Sequence, residues 1–387
     1  MMVSLAAIAS PLAALAADPI AVTSDTKIQL YGFVRADATY DIASSNGDAG
    51  DWGSFLQTQP IDGSATANKH GDTYITARGS RFGMKGQIGD GGVNFKLEGD
   101  FNGTTAESGR PGQLGTNSTG FRIRHAYIEY AGFLVGQSWS NFEDLPALPE
   151  TVQFNPTLTA VTPRQPQIRY TAKLSGSELS VALENAQSFT QSGNDFDRGT
   201  DITAKWTTGG DWGHVSLRGV EEQYRTDTGS TRHSTTGYEA AVSGAFNIGS
   251  TGRLVYGLFY GDGGGRYLWG SLLEGAVDTG TNISKFKSRA AHVGYTQSWT
   301  SNLRSNFVYS TIRFSDNPNA VANFHNKQLD QFHVNLFSGV AKNTEIGVEY
   351  ADGRRKLMNP AVDATDNPEG RSTGHERRIN LMLQANF

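Results

Sequence analysis

Residues 378–387 read RINLMLQANF, and this decamer alternates without a break. Ile379, Leu381, Leu383, Ala385 and Phe387 share one parity; Arg378, Asn380, Met382, Gln384 and Asn386 share the other. A two-residue period is the mark of a β-strand, whose successive side chains leave opposite faces. Such a strand separates an apolar medium from a wet one. In a soluble sandwich the apolar medium is a protein core; in a transmembrane barrel it is lipid. Ten residues do not distinguish the two.

The same parity runs through the chain. In IQLYGFVRADATYD, Leu30, Val34, Ala36, Ala38 and Tyr40 oppose Tyr31, Phe33, Arg35, Asp37 and Thr39. In GVNFKLEGDFNG, Val93, Phe95, Leu97 and Phe101 oppose Asn94, Lys96, Glu98 and Asp100. Ionised side chains thus sit inside the strands, on the face opposite the apolar one, and Arg169, Lys173, Asp201, Lys205 and Arg218 continue that pattern. A sandwich needs a layer of continuous apolar strands at its centre, which is missing here. A large barrel with a water-filled interior needs this inversion, polar inside and apolar outside.

Connections sort by length. Tight turns near 89, 176, 208, 249, 301 and 342 alternate with long polar stretches such as 42–70, 103–119, 262–284 and 355–372. Short turns on one rim and long loops on the other are the pattern of an outer-membrane barrel. Strands of about 10 residues with alternating connections divide the chain into about sixteen. The strands near 72–88 and 285–299 change parity, so bulges are expected in both. No sustained 3.6-residue period occurs, and residues 27–387 read as one all-β transmembrane barrel domain.

Composition agrees. The 387 residues carry 33 Lys and Arg against 38 Asp and Glu, a formal net charge of −5, which disfavours nucleic acid as a partner. Cysteine is absent, excluding thiolate metal sites and disulfides. Mean hydropathy is −0.42. Residues 1–16 read as an export signal, with Ala14 and Ala16 forming a small-residue cleavage site before Ala17. The alternating last strand ending in an aromatic is similar to the assembly signal of outer-membrane proteins. On that likeness, Ile379 to Phe387 are expected to engage lipid and the outer-membrane assembly machinery.

One connection differs in character. PALPETVQFNPTLTAVTPRQPQ, which follows FLVGQSWSNFEDL, is stiffened by proline and carries Glu143, Asp144 and Glu150 early and Val152, Phe154, Leu158 and Val161 along its body. A solvated loop has no use for those apolar residues, whereas a loop folded into the barrel packs them on the wall. Arg122 and Arg124 share a strand face, as do Arg81 and Lys85. With Arg35 and Arg169 they are expected to form a basic wall facing the acidic loop across a narrow passage. Such a transverse field selects small solutes by charge.

YGFVRADATYD, SRFGMKG, KLEGDF and above all RIRHAYIEYAGFLVGQSWSNFEDLPALPETVQFN with RQPQIRYT resemble the DcaP-like porins of Gram-negative outer membranes. The likeness is densest over 120–172. It implies a homotrimer of sixteen-stranded barrels with an inward-folded third loop, taking up small anionic solutes such as dicarboxylates. A barrel hydrolase and a plugged adhesive barrel are the rival readings. The eight histidines show no metal-ligand spacing, and no G-x-S-x-G elbow occurs. No enzyme activity, cofactor or metal is expected.

Overall fold

The computed structural model describes residues 20–23, 26–45, 59–89, 91–103, 120–154, 157–268, 270 and 274–387. The expected export signal lies outside the described residues, as do the loop segments 46–58 and 104–119.

Alternation produces strands, and the strands close into a 16-stranded antiparallel barrel. The wall begins with Thr26–Ala43 and an interrupted second strand, Thr73–Thr76 and Arg81–Ile88. Val93–Gly103, Gly120–Tyr130, Phe133–Trp139, Arg164–Leu174, Ser177–Asn185 and Thr200–Gly210 follow. Then come Gly213–Asp227, Arg232–Ile248, Gly252–Asp262 and Lys287–Ser298. Leu303–Phe314, Asn326–Ala341, Thr344–Leu357 and Thr373–Asn386 complete it. Each pairs with its neighbour in sequence, and Thr373–Asn386 pairs back onto Thr26–Ala43, with Phe33 opposite Asn386. Closure leaves no unpaired edge in lipid, the condition a spanning sheet must meet.

The inside-out partition is as expected. Leu381 and Leu383 are each 49% exposed, whereas Met382 between them is 5% exposed. Two-residue turns of the Ala131-Gly132 kind connect strands at one rim. Their φ values of 50° and 85° fit a type I′ hairpin, and glycine takes that conformation without steric cost.

Two local expectations resolve differently. The second strand is indeed broken, at 77–80. Lys287–Ser298, however, pairs without a register shift on both sides, so no bulge interrupts it. Small residues at Ala290, Ala291 and Gly294 blur its alternation while leaving the ladder intact. A shift falls instead in Gly120–Tyr130, where Gly99 faces Ile123 and Glu98 faces His125. Arg124 is the extra residue.

The seam at which the ends meet answers why the chain finishes on an aromatic. Gly32 and Phe387 exchange both backbone hydrogen bonds, at 3.1 and 3.0 Å. A Cβ on Gly32 would lie 2.8 Å from Phe387 Cζ, so the ring covers the bare glycine. On the inner face Arg378 bonds Asp41 at 3.0 Å and Glu376 at 2.5 Å.

Inside the barrel lies an apolar core. Phe142, Leu158 and Val161 of the inward segment pack with wall residues Val220, Phe259, Ile312 and Leu329 and with Tyr267, Leu268 and Phe286 of the segment 263–286. The lumen is therefore filled on one side.

Candidate pore constriction

Segment 140–163 leaves the wall after Trp139 and rejoins it at Arg164, having crossed to strands on the far side. Its start is held by Glu184, which accepts from Ser140 Oγ at 3.1 Å and Asn141 N at 2.8 Å. Its middle forms a single 3₁₀ turn, Leu145–Ala147. There Arg253 donates to the Pro146 carbonyl at 2.8 Å, and His292 Nε2 bonds the Ala147 carbonyl at 2.9 Å. Farther on, Val152 N and Gln153 N donate to the Glu349 carboxylate at 2.9 and 3.0 Å. Val152 packs on Phe337 and Met382. Val152, Leu158 and Val161 are buried as the sequence suggested, and Phe154 lies 5.2 Å beneath the Arg35 guanidinium.

The loop's carboxylates point elsewhere than expected. Asp144 bonds His214 Nε2 at 3.0 Å and accepts from Ser243 Oγ, both on the wall behind the loop. Glu150 forms a fork with Arg304 at 2.6 and 2.7 Å. Glu143 accepts from the backbone N–H groups of Asp144 and Val161 at 2.7 and 2.8 Å, turning into its own loop. All three fasten the loop; Glu150 shares a cavity with Arg35, and none of the three bonds Arg81, Arg122, Arg124 or Arg169. Arg304, His214 and Ser243 escaped sequence reasoning because nothing local marks a loop's distant partners.

The basic residues divide. Arg122 makes a bidentate pair with Asp100, at 2.7 and 2.9 Å. Arg124 bonds Glu98 at 3.0 Å and Asp100 at 2.7 Å. Arg81 lies 3.4 Å and Lys96 3.3 Å from Glu98. The bulge at Arg124 brings consecutive residues into this cluster, and Arg164, which the sequence did not single out, stacks 3.8 Å over the Trp139 ring. Arg169 lies between the charges of Glu129 and Glu184 without a hydrogen bond to either. Arg35 belongs to the loop's anchorage: it pairs with Asp37 at 2.7 Å and donates to the Val152 carbonyl at 2.6 Å. Lys85 stands apart near the short-turn rim, opposite Lys96 and 5.8 Å from the Tyr31 ring.

Along the inward face of the wall from Arg81–Ile88 to Ser177–Asn185, then, Arg81, Lys85, Lys96, Arg122, Arg124, Arg169 and Lys173 stand against Glu98, Asp100, Glu129, Glu178 and Glu184. Because the loop's acids are spent on their own anchors, that wall keeps a positive excess.

Burial raises the Glu143 carboxyl from 4.5 to about 7, against the opposing pull of the Arg218 guanidinium. The seated loop therefore binds this proton more tightly than a released loop does. Its contribution to seating is complete below the ordinary carboxyl value and is lost as pH rises through about 7. Open-channel current noise from loop motion is expected to be greater at pH 8 than at pH 6, and Glu143→Gln to abolish the difference. Single-channel recording at the two pH values checks this; equal noise in the unmodified protein would remove Glu143 from the loop's control.

A family model described as DcaP outer membrane protein matches residues 10–387. No curated protein matches the chain. Among solved structures, the outer membrane channel DcaP of Acinetobacter baumannii is 29% identical, with a TM-score of 0.79, covering 94% of this chain and 98% of that one. An anion-selective porin from Comamonas acidovorans shares the fold at 14% identity and TM-score 0.58, over 94% of this chain and 100% of its own. The trimer form of in-vitro folded OmpT of Vibrio cholerae does so at 11% and 0.58, over 94% and 100%.

Proposed function

Because the chain belongs to the DcaP outer membrane protein family, we propose that its pore favours small hydrophilic anions, dicarboxylates among them, and passes them by passive diffusion. The family is one of outer membrane channels, and the chain resides in that membrane. The observation that carries the anion preference is the positive excess of the wall bearing Arg81, Arg122 and Arg124. A guanidinium fork binds both oxygens of a carboxylate, and neighbouring strands about 4.8 Å apart offer a second cation to a second carboxylate. Arg122, whose Nε and Nη2 are taken by Asp100, keeps its side chain 35% exposed and offers the remaining edge of its guanidinium. The solute passes unchanged, so no catalytic residue is assigned. We infer a homotrimer, in keeping with the trimer form of the Vibrio protein.

Replacing Arg122 and Arg124 together by alanine leaves Glu98 and Asp100 with two fewer partners. The anion-to-cation permeability ratio, read from reversal potentials in a salt gradient, is expected to fall about threefold or more. Dicarboxylate block of the current should weaken in parallel. Cation preference in the unmodified channel would overturn the assignment.

A further inference from the structure

The outward face of the barrel changes character toward the rim with the long loops. Across four neighbouring strands, Phe307, Val334, Tyr350 and Ile379 form a row of apolar side chains. Two residues further along each strand, about 7 Å, the row contains Asp352 and Arg377, and the next two contain Asp330, Arg354, Arg313 and Lys356. Arg289 lies directly opposite Arg313. All of these share the parity of the lipid-facing residues, so a solute in the lumen does not meet them.

The acids do not balance the bases. Asp330 accepts from Arg313 at 2.9 Å and also from Tyr309, Thr311 and Gln328. Asp352 accepts from Arg354 at 3.0 Å. Arg289, Lys356 and Arg377 are left with no hydrogen bond or ion pair among the described residues. Arg354 and Arg313 remain 72% and 45% exposed at the side chain. Like charges directly opposite on adjacent strands repel, as Arg289 and Arg313 do, and a bridging anion removes that penalty. An open groove of about 560 Å³ lies in this apron, where Arg354, Lys356 and Arg377 stand with Asp62, Asp330 and Asp352.

We propose that this apron binds the phosphate group of a phosphorylated glycolipid in the outer leaflet. The site begins one strand step above the apolar row, at Arg377, and extends two steps further to Lys356, Arg313 and Arg289, outward from the chains of a lipid lying along Phe307, Val334 and Ile379. Guanidinium and ammonium groups there form charge-assisted bonds to phosphate oxygens. A free anion would lack the apolar half of the contact.

The test titrates the full-length protein in neutral detergent with a bis-phosphorylated glycolipid, its dephosphorylated form and inorganic phosphate. The phosphorylated lipid is expected to bind, and the Arg289→Gln/Arg313→Gln variant to bind about thirtyfold more weakly. Asp352→Asn, which removes an acid from the apron, should bind more tightly. Arg198→Gln/Arg232→Gln, which removes equal charge elsewhere, should match the unmodified protein. Unchanged affinity in the Arg289/Arg313 variant overturns the proposal, as does equal binding of the dephosphorylated lipid. Full displacement by equimolar inorganic phosphate would make this a free-anion site. A changed oligomeric mass in that variant would make it a contact between copies.

Discussion

The double variant Glu184→Ala/Glu349→Ala is expected to raise single-channel conductance, because it releases the constriction loop at its start and at Val152–Gln153 while the bonds to His214, Arg253 and Arg304 remain. Glu349 accepts from Val152 N and Gln153 N and also from Asn335 and Asn380, each at about 3.0 Å. Glu184 binds Ser140, Asn141, Thr203 and Gln165. Each buried donor left without an acceptor costs about 1–3 kcal/mol, so the two losses loosen the loop at these points although Phe142, Leu158 and Val161 and the bonds to His214, Arg253, His292 and Arg304 still hold it. Either single variant should give an intermediate, noisier channel. The Glu→Gln versions keep one acceptor oxygen and should fall nearer the unmodified protein. Planar-bilayer recording, with the heat-shifted gel mobility of a closed barrel as folding control, decides this. An unchanged conductance would place the narrowest point away from the loop.

The second large effect concerns the seam. Gly32→Leu is expected to leave less than about a tenth of the chain as closed barrel, since overpacking against backbone admits no cheap relief. A Cβ at Gly32 would stand 2.3 Å from the Arg81 carbonyl oxygen as well as against the Phe387 ring. Deleting Phe387 removes the ring and both backbone bonds to Gly32 but creates no clash, and should lower assembly less severely. The fraction of heat-modifiable protein in isolated outer membranes measures both. Normal assembly of Gly32→Leu would mean that the seam opens at this level without consequence.

How much of this was legible in the sequence depends on range. The parity of Leu381, Leu383 and Phe387, or of Lys96 and Glu98, follows from adjacent residues alone, because a strand's two faces alternate whatever surrounds it. The inward loop was legible for the same reason: Val152, Leu158 and Val161 have no place in a solvated connection. Its electrostatics were not. Asp144 meets His214 and Ser243 at separations of 70 and 99 residues, and Glu150 meets Arg304 at 154. Those pairings depend on how far the loop travels across the lumen, which no local pattern encodes. Arg124 shows the intermediate case. Its residue type was recognisable as pore-facing, but its proximity to both Glu98 and Asp100 requires a register shift that a backbone, not a composition, decides.

The apolar core inside the lumen also constrains the order of events during biogenesis. Phe142, Leu158 and Val161 are synthesised well before the strands carrying Phe259, Ile312 and Leu329 against which they rest. Until those later strands join the growing sheet, the earlier hairpins carry a greasy, unmatched flap. Seating of that flap and insertion of the last six strands, from Gly252–Asp262 onward, are therefore one cooperative act rather than two successive ones.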